Sequence, residues 1–222
     1  MYTEIYTRRT LRRWRGEKML RDRQAIMDYA FSCVEDASHG RDHILRVRLS
    51  ALSIAESYPE ADRDALECAC ILHDCGRPEQ IADARVSHAQ AGAKKAEAFL
   101  LGRGFEAGFA ARVGAWIAAH SSPEMARMAG LEARILFDAD KLEMTGAVGV
   151  LRAMMYSVEA GEPIYAPEGE SFYRTAQNDL AFARANLFTA EAKAMAADRL
   201  QRMEEFLSAL IKEAGSAEAQ SV

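Results

Sequence analysis

The sequence predicts an all-α fold, and three observations carry that prediction. Ala, Leu, Glu, Arg and Met, all strong helix formers, are abundant in the 222 residues. Runs that alternate β-branched with polar residues, as a half-buried strand would, are absent. Apolar residues instead recur at three- and four-residue steps, in blocks that stop at proline or glycine. Half of the residues are hydrophobic and 27% are charged, an ordinary globular balance. A chain this long can bury roughly 70% of its unfolded surface, enough for a sizeable core.

Taken in order, Ile26, Ala30, Cys33 and Val34 share one stripe of a first helix, predicted over 17–36. A second starts near His43 and carries Ile44, Val47, Ala51, Ile54 and Tyr58 until Pro59 stops it. A third is predicted over 61–75, because Gly76 suits a left-handed cap and Pro78 forbids continuation. Ser87 can cap a fourth over 88–101, and a fifth over 105–120 ends at Ser121, Ser122 and Pro123. A sixth starts near Leu131 and runs on through "ILFDADKLEMTGAVGVLRAMMYSV". After the polar stretch "EAGEPIYAPEGES", two more helices follow, the last opening at Thr189 and reaching about Ala214. With no repeat and no linker-like segment, we expect one core domain over 38–214, a helical extension packed on it over 1–37, and a frayed tail at 215–222.

The net charge of −5 argues against a nucleic-acid backbone as the main partner, which would need a concentrated basic surface. The first residues lack the apolar region of a secretory signal, and no run approaches the ~20 apolar residues of a membrane span. The basic run at 8–15 reads as a solvated helix face. Cys33, Cys68, Cys70 and Cys75 include no Cys-x-x-Cys pair and read as reduced thiols filling the core. The expectation is a cytoplasmic chain that binds neither membrane nor nucleic acid.

Five histidines remain to be placed. His73 ends the stripe Leu66, Ala69, Cys70, and His120 ends the stripe Phe109, Val113, Trp116, so both face inward. His43 and His88 open helices, and His39 precedes His43 by four residues. A lone inward histidine is usually a core residue with one hydrogen bond. Several converging on helix ends, one beside Asp74, point instead to a divalent cation, because a buried carboxylate without such a partner is costly. A further acidic element, "FDADKLE", puts Asp138 and Asp140 about 200° apart around a helix, so only one can face a given site. Periodicity slightly favours Asp138 and does not settle the choice.

"DHILRV" (42–47), "ILHDCGRPEQ" (71–80), "SHAQAGA" (87–93), "AAHSS" (118–122) and "DADKLE" (138–143), in this order, resemble the HD-domain superfamily of metal-dependent phosphohydrolases. Within it, "DADKL" followed by "TGAVGV", and "AADRLQRMEEFL" at 196–207, are similar to small bacterial HD hydrolases. The resemblance spans about residues 38–210 and implies a single HD-domain helical bundle with additional C-terminal helices. It also implies metal ligation by His43, His73, Asp74 and Asp140, which overrules the periodicity preference for Asp138. "HDCGRP" departs mildly from the His-Asp-Ile-Gly-Lys-Pro of many relatives, and nothing at 1–37 matches a motif.

The chemistry implied is hydrolysis of a nucleotide or another small phosphate ester, with nucleoside triphosphate pyrophosphohydrolysis the narrower expectation. Two imidazoles and two carboxylates without thiolate suit one divalent cation, Mn²⁺, Mg²⁺ or Fe²⁺. Asp74 is the expected catalytic group beside the attacking water. Arg77 and Lys141 would meet substrate phosphate or form surface salt bridges. His88 and His120 would hold a second metal or contact phosphate directly. His39 would touch substrate or sit in a solvated loop, and Asp138 and Glu143 would support the ligands or lie on the surface. Two alternatives stand beside this reading: a di-iron oxygenase of HD type, and a non-catalytic metal- or ligand-binding domain.

Overall fold

The computed structural model describes residues 2–34 and 40–218, with side chains over 18–34 and 40–214. His39, the side chains of the basic run at 8–15 and the end of the tail lie outside the described residues. Helix α1 (Tyr2–Cys33) buries Met19, Ile26 and Ala30 and packs on α3 (Arg63–Leu72). Helix α2 (Arg41–Ile54) also packs on α3, burying Ile44, Val47, Ala51 and Ile54. One buried carboxylate ties these three helices: Glu67 of α3 accepts from Arg48 of α2 at 2.7 Å and from Arg23 of α1 at 3.2 Å. The two guanidiniums offset the cost of taking that charge out of water.

Helices α5 (His88–Gly102) and α6 (Ala107–Ala119) form a hairpin whose small residues Ala89, Gly92, Ala93 and Ala96 permit close approach. After α7 (Pro123–Ala129), helix α8 (Leu131–Lys141) runs through the middle, with Ile135, Leu136, Phe137 and Ala139 fully buried. Helices α9 (Gly146–Glu159), α10 (Phe172–Asn186) and α11 (Ala190–Glu218) pack on one another as a C-terminal layer. One hydrophobic core runs through all of this, from Met19 to Leu207, and no strand occurs among the described residues.

The elements differ from expectation at five places. Helix α1 spans 2–33 rather than 17–36, the arginines of 8–15 extending it without an apolar stripe. Helix α2 ends at Ile54 and a 3₁₀ turn, Ala55–Ser57, completes the stretch towards Tyr58. The short α7 escaped notice because seven residues cannot display a stripe, although the Ser122 hydroxyl caps it by accepting from Met125 N at 3.3 Å. The predicted sixth helix is broken: a 3₁₀ turn, Leu142–Met144, leads to Gly146, whose φ of +66° only glycine adopts cheaply.

The fifth difference lies beside the His-Asp pair. Helix α3 stops at Leu72, and Gly76 has φ −95°, not a left-handed value. Pro78 does not end a helix but sits in the first turn of a new one, α4 (Arg77–Ala82), where its missing N–H costs nothing. Glycine is required at 76 for space: a Cβ there would lie 2.1 Å from the His88 carbonyl oxygen and 2.4 Å from Gly92 N. The turn carrying His73 and Asp74 is thus pressed against the start of α5.

Candidate metal centre

Each of the grouped imidazoles and carboxylates sits at or near a helix end, so the ends of α2, α3, α5, α6 and α8 build one buried cluster. His43 lies in the first turn of α2, His73 and Asp74 follow α3, and Asp140 lies in the last turn of α8. His88 opens α5, and His120 follows α6. His43, His73, Asp74 and His120 are each at most 1% exposed.

Neighbouring acceptors orient the rings. His73 Nδ1 faces the Cys70 carbonyl at 2.8 Å, and His120 Nδ1 faces the Ile117 carbonyl at 2.6 Å. His43 Nδ1 faces Glu143 Oε2 at 3.3 Å. A carbonyl or carboxylate there places the proton on Nδ1 and turns the Nε2 lone pair inward. The result is that His43 Nε2 and His73 Nε2 stand only 3.2 Å apart. Two converging lone pairs repel unless something positive lies between them.

The carboxylates divide their oxygens in the same way. Asp140 gives Oδ2 to Lys141 Nζ at 2.7 Å and turns Oδ1 to His43 Nε2 at 3.5 Å. Asp74 gives Oδ1 to Arg77 Nε at 3.0 Å and turns Oδ2 to His73 Nε2 and His43 Nε2 at 3.3 and 3.6 Å. Asp74 Oδ2 and His88 Nε2 are buried without any hydrogen bond, the condition expected of atoms placed to bind a cation. Two donor sets share His73: His43, His73 and Asp140, and His73, Asp74 and His120. Imidazole nitrogen and carboxylate oxygen in this ratio fit a divalent first-row metal or magnesium.

Burial and charge shift the acids and bases strongly. Burial pushes the Asp74 carboxyl up, but His73, His43 and Arg77 outweigh it and hold the group well below the usual range. Asp140 behaves alike, with Lys141, His73 and His43 overcoming burial. His43 is held above its usual value, because Asp74 and Glu143 overcome a burial effect of opposite sign. Burial, assisted by His73, lowers His120 to about 3; burial, assisted by Arg77, lowers His88 to about 4. His88 Nε2 and His120 Nε2 lie 3.9 and 4.0 Å from Asp74 Oδ1, the oxygen that Arg77 also holds.

Asp138 is not at the centre. It is fully buried on the opposite side of α8, accepting from Phe188 N at 2.8 Å, Thr189 N at 2.7 Å and the Thr189 hydroxyl at 2.6 Å. It anchors the start of α11, so neither a supporting role at the ligands nor a surface position describes it. Glu143 does support a donor, through His43, and is itself held by Arg46 Nε at 2.7 Å.

A cleft of about 260 Å³ opens from Asp140 and Glu143 to the surface, lined also by Arg77, Lys141, Arg152, Tyr156 and Asp179. Reasoning from sequence did not single out Arg46, Arg152, Tyr156 or Asp179. Arg46 carried a signal, lying three residues after His43; the others sit in segments with no readable spacing. The thiols are free and buried, and no helix among the described residues is long and apolar enough to cross a membrane.

An all-helical bundle whose helix ends gather His, His-Asp and Asp around one buried point defines a metal-dependent hydrolase of the HD type. Residues 40–145 match the HD domain family, which places this part of the chain in the HD-domain superfamily. Among solved structures it is similar to Bacillus subtilis YpgQ in complex with ADP, at 25% identity and TM-score 0.72, covering 88% of this chain and 96% of that one. It is also similar to a Bacillus thuringiensis HD-superfamily hydrolase, at 27% identity and TM-score 0.67, covering 90% and 98%. A third likeness is to a predicted HD superfamily hydrolase of an uncultured Thermotogales bacterium, at 29% identity and TM-score 0.59, covering 87% and 92%. No curated protein matches the chain.

Proposed function

We propose that the chain is a phosphohydrolase that uses one divalent cation, Mn²⁺, Mg²⁺ or Fe²⁺, to hydrolyse a nucleotide, with pyrophosphate release from a nucleoside triphosphate as the reaction. His43, His73, Asp74 and Asp140 would hold the cation. The observation that carries the reading is the division of each carboxylate: one oxygen faces the imidazoles and the other holds a cationic side chain of the cleft.

When bound, the cation supplies charge stabilisation to a phosphoryl oxygen and acidifies a water. The chain's own residues do the rest. Asp74 Oδ2, buried and without a hydrogen bond, accepts one from the attacking water and so aims it. Arg77 and Lys141, which line the cleft and already hold Asp74 and Asp140, orient the phosphoryl group by charge-assisted hydrogen bonds. Arg152 also lines the cleft and would meet the rest of a phosphate chain, and half-exposed Tyr156 offers a ring for a planar base. The ADP bound by YpgQ supports a nucleotide over a simpler ester.

The test is a panel of nucleotides and phosphate esters assayed with Mn²⁺, Mg²⁺, Co²⁺ and Fe²⁺, alongside elemental analysis. Metal-dependent release of pyrophosphate is expected, abolished in Asp74→Ala while the helical circular-dichroism spectrum stays. Turnover surviving that substitution would refute the assignment of Asp74. The second donor set, through His120, favours examining metal number as well. With one cation, His88→Ala and His120→Ala lower turnover but leave metal near one equivalent. Two equivalents in the wild type, falling to one in either variant, would replace this reading with a dinuclear one, and oxygen uptake after anaerobic iron loading would then separate oxygenase from hydrolase.

A further inference from the structure

Glu143 forms part of the wall of a second cleft, of about 340 Å³, which adjoins the one above Asp140 at this residue. Arg46 of α2 and Arg199 and Arg202 of α11 line it, with Gly146, Ala147 and Val148 of α9. Three guanidiniums therefore share this cleft, and of them Arg46 alone holds Glu143. Arg46 spends its donors on Glu143 at 2.7 Å and on exposed Asp42 at 2.6 Å. Arg202 pairs with exposed Asp198 at 2.7 Å, a contact that competes weakly with a better acceptor. Arg199 reaches only the Leu142 carbonyl, at 3.5 Å, and no carboxylate of the described residues lies within 4.0 Å of it.

The α9 wall adds donors of its own. Thr145 occupies the capping position, but its hydroxyl donates to the Leu142 carbonyl at 2.6 Å and makes no cap hydrogen bond. The first N–H groups of α9, at Gly146, Ala147 and Val148, are thus left without a side-chain acceptor on the face that lines the cleft. Guanidiniums and helix N–H groups together are the donor set that a phosphoryl dianion takes.

Gly146, Ala147 and Arg202 also border an adjoining apolar cavity of about 350 Å³ between Val150, Leu151 and Phe206. Leu151 is 64% exposed and Phe206 44%, so this cavity offers apolar surface to solvent beside the arginines. The polar and apolar halves meet at Arg202. We propose that this double cleft is a binding site for a small molecule carrying a phosphate group on an apolar or aromatic body, distinct from the metal centre.

Phenyl phosphate, titrated calorimetrically into the full chain after removal of divalent metal, is the probe, with inorganic phosphate as its comparison. No turnover enters the measurement, so the result stands or falls separately from the hydrolase reading. The wild type should bind phenyl phosphate at least five-fold more tightly than inorganic phosphate. Arg199→Gln combined with Arg202→Gln should weaken phenyl phosphate ten-fold or more, and Phe206→Ala should erase the preference for the aryl compound. Should the double variant fold poorly, Ala147→Glu puts a carboxylate in the same wall at an exposed position and should give the same loss. Phenyl phosphate binding that is undetectable in the wild type, or unchanged in both the double variant and Ala147→Glu, overturns the proposal.

Discussion

Asp138 and Asp140 are two residues apart on one helix, and replacing each by alanine should produce opposite failures. Asp138→Ala removes the acceptor of Phe188 N, Thr189 N and the Thr189 hydroxyl, at 2.6–2.8 Å, from a place with no solvent exposure. A buried donor left unsatisfied costs ~1–3 kcal/mol, and two backbone N–H groups lose their partner at once. Burial holds the Asp138 carboxyl above its usual pKa, so the wild type already carries a desolvation cost that the substitution returns. The net loss is about 3 kcal/mol, which for a chain of this size is a fall in Tm of roughly 6–12 °C. Metal content should stay at the wild-type level. Asp140→Ala should lose metal and shift Tm far less. Thermal unfolding by circular dichroism, paired with elemental analysis, reads both. The reasoning fails if Asp138→Ala melts with the wild type or loses its metal while Asp140→Ala keeps it.

Glu143→Gln keeps the shape but removes the charge that orients His43, so metal affinity should fall roughly 10–100-fold in a Mn²⁺ titration with the fold unchanged. Gly76→Ala drives a methyl into the His88 carbonyl and Gly92 N, and should destabilise the chain by more than ~3 kcal/mol, seen as a lower urea midpoint. Burial, only partly offset by Lys141 and Arg152, raises Asp179 to about 6. The folded chain therefore binds more protons than the unfolded one between 3.8 and that value, and stability is lost as pH rises through the interval. Asp179→Asn should accordingly be more stable than wild type by about 1–2 kcal/mol at about pH 8, a gain that falls to roughly half at about pH 5. Equal urea midpoints at both pH values would show that the burial penalty is not felt.

Much of this arrangement was legible because it depends on local spacing. The inward direction of His73 and His120 followed from the stripes that precede them, and the helix order followed from proline, glycine and cap residues. What stayed hidden depends on contacts between distant segments. Asp138 shares its helical stripe with core residues, as periodicity indicated, yet its partners lie fifty residues later, where no spacing could reveal them. Gly76 showed itself as a glycine, but its reason is the backbone of α5, not its own φ. Arg152 and Asp179 became neighbours of the cleft only when α9 and α10 folded back over α8.

The close seat of Gly76 against the His88 carbonyl also fastens together the two ends of the excursion 77–87. Helix α4, which it carries, buries no residue. The excursion behaves as a flap sewn down at its ends and pinned once more where Glu79 meets Lys95 at 2.9 Å. Past Gln80, which accepts from Arg77 at 3.0 Å, it can lengthen, shorten or change composition while the seam keeps His73, Asp74 and His88 in register. Lengthening such a segment costs little, about 0.6 kcal/mol per doubling. Residues 81–86 therefore form the part of the cleft's surroundings where inherited change is cheapest, and descendants of this chain could alter what approaches Arg77 without disturbing the buried donors beneath it.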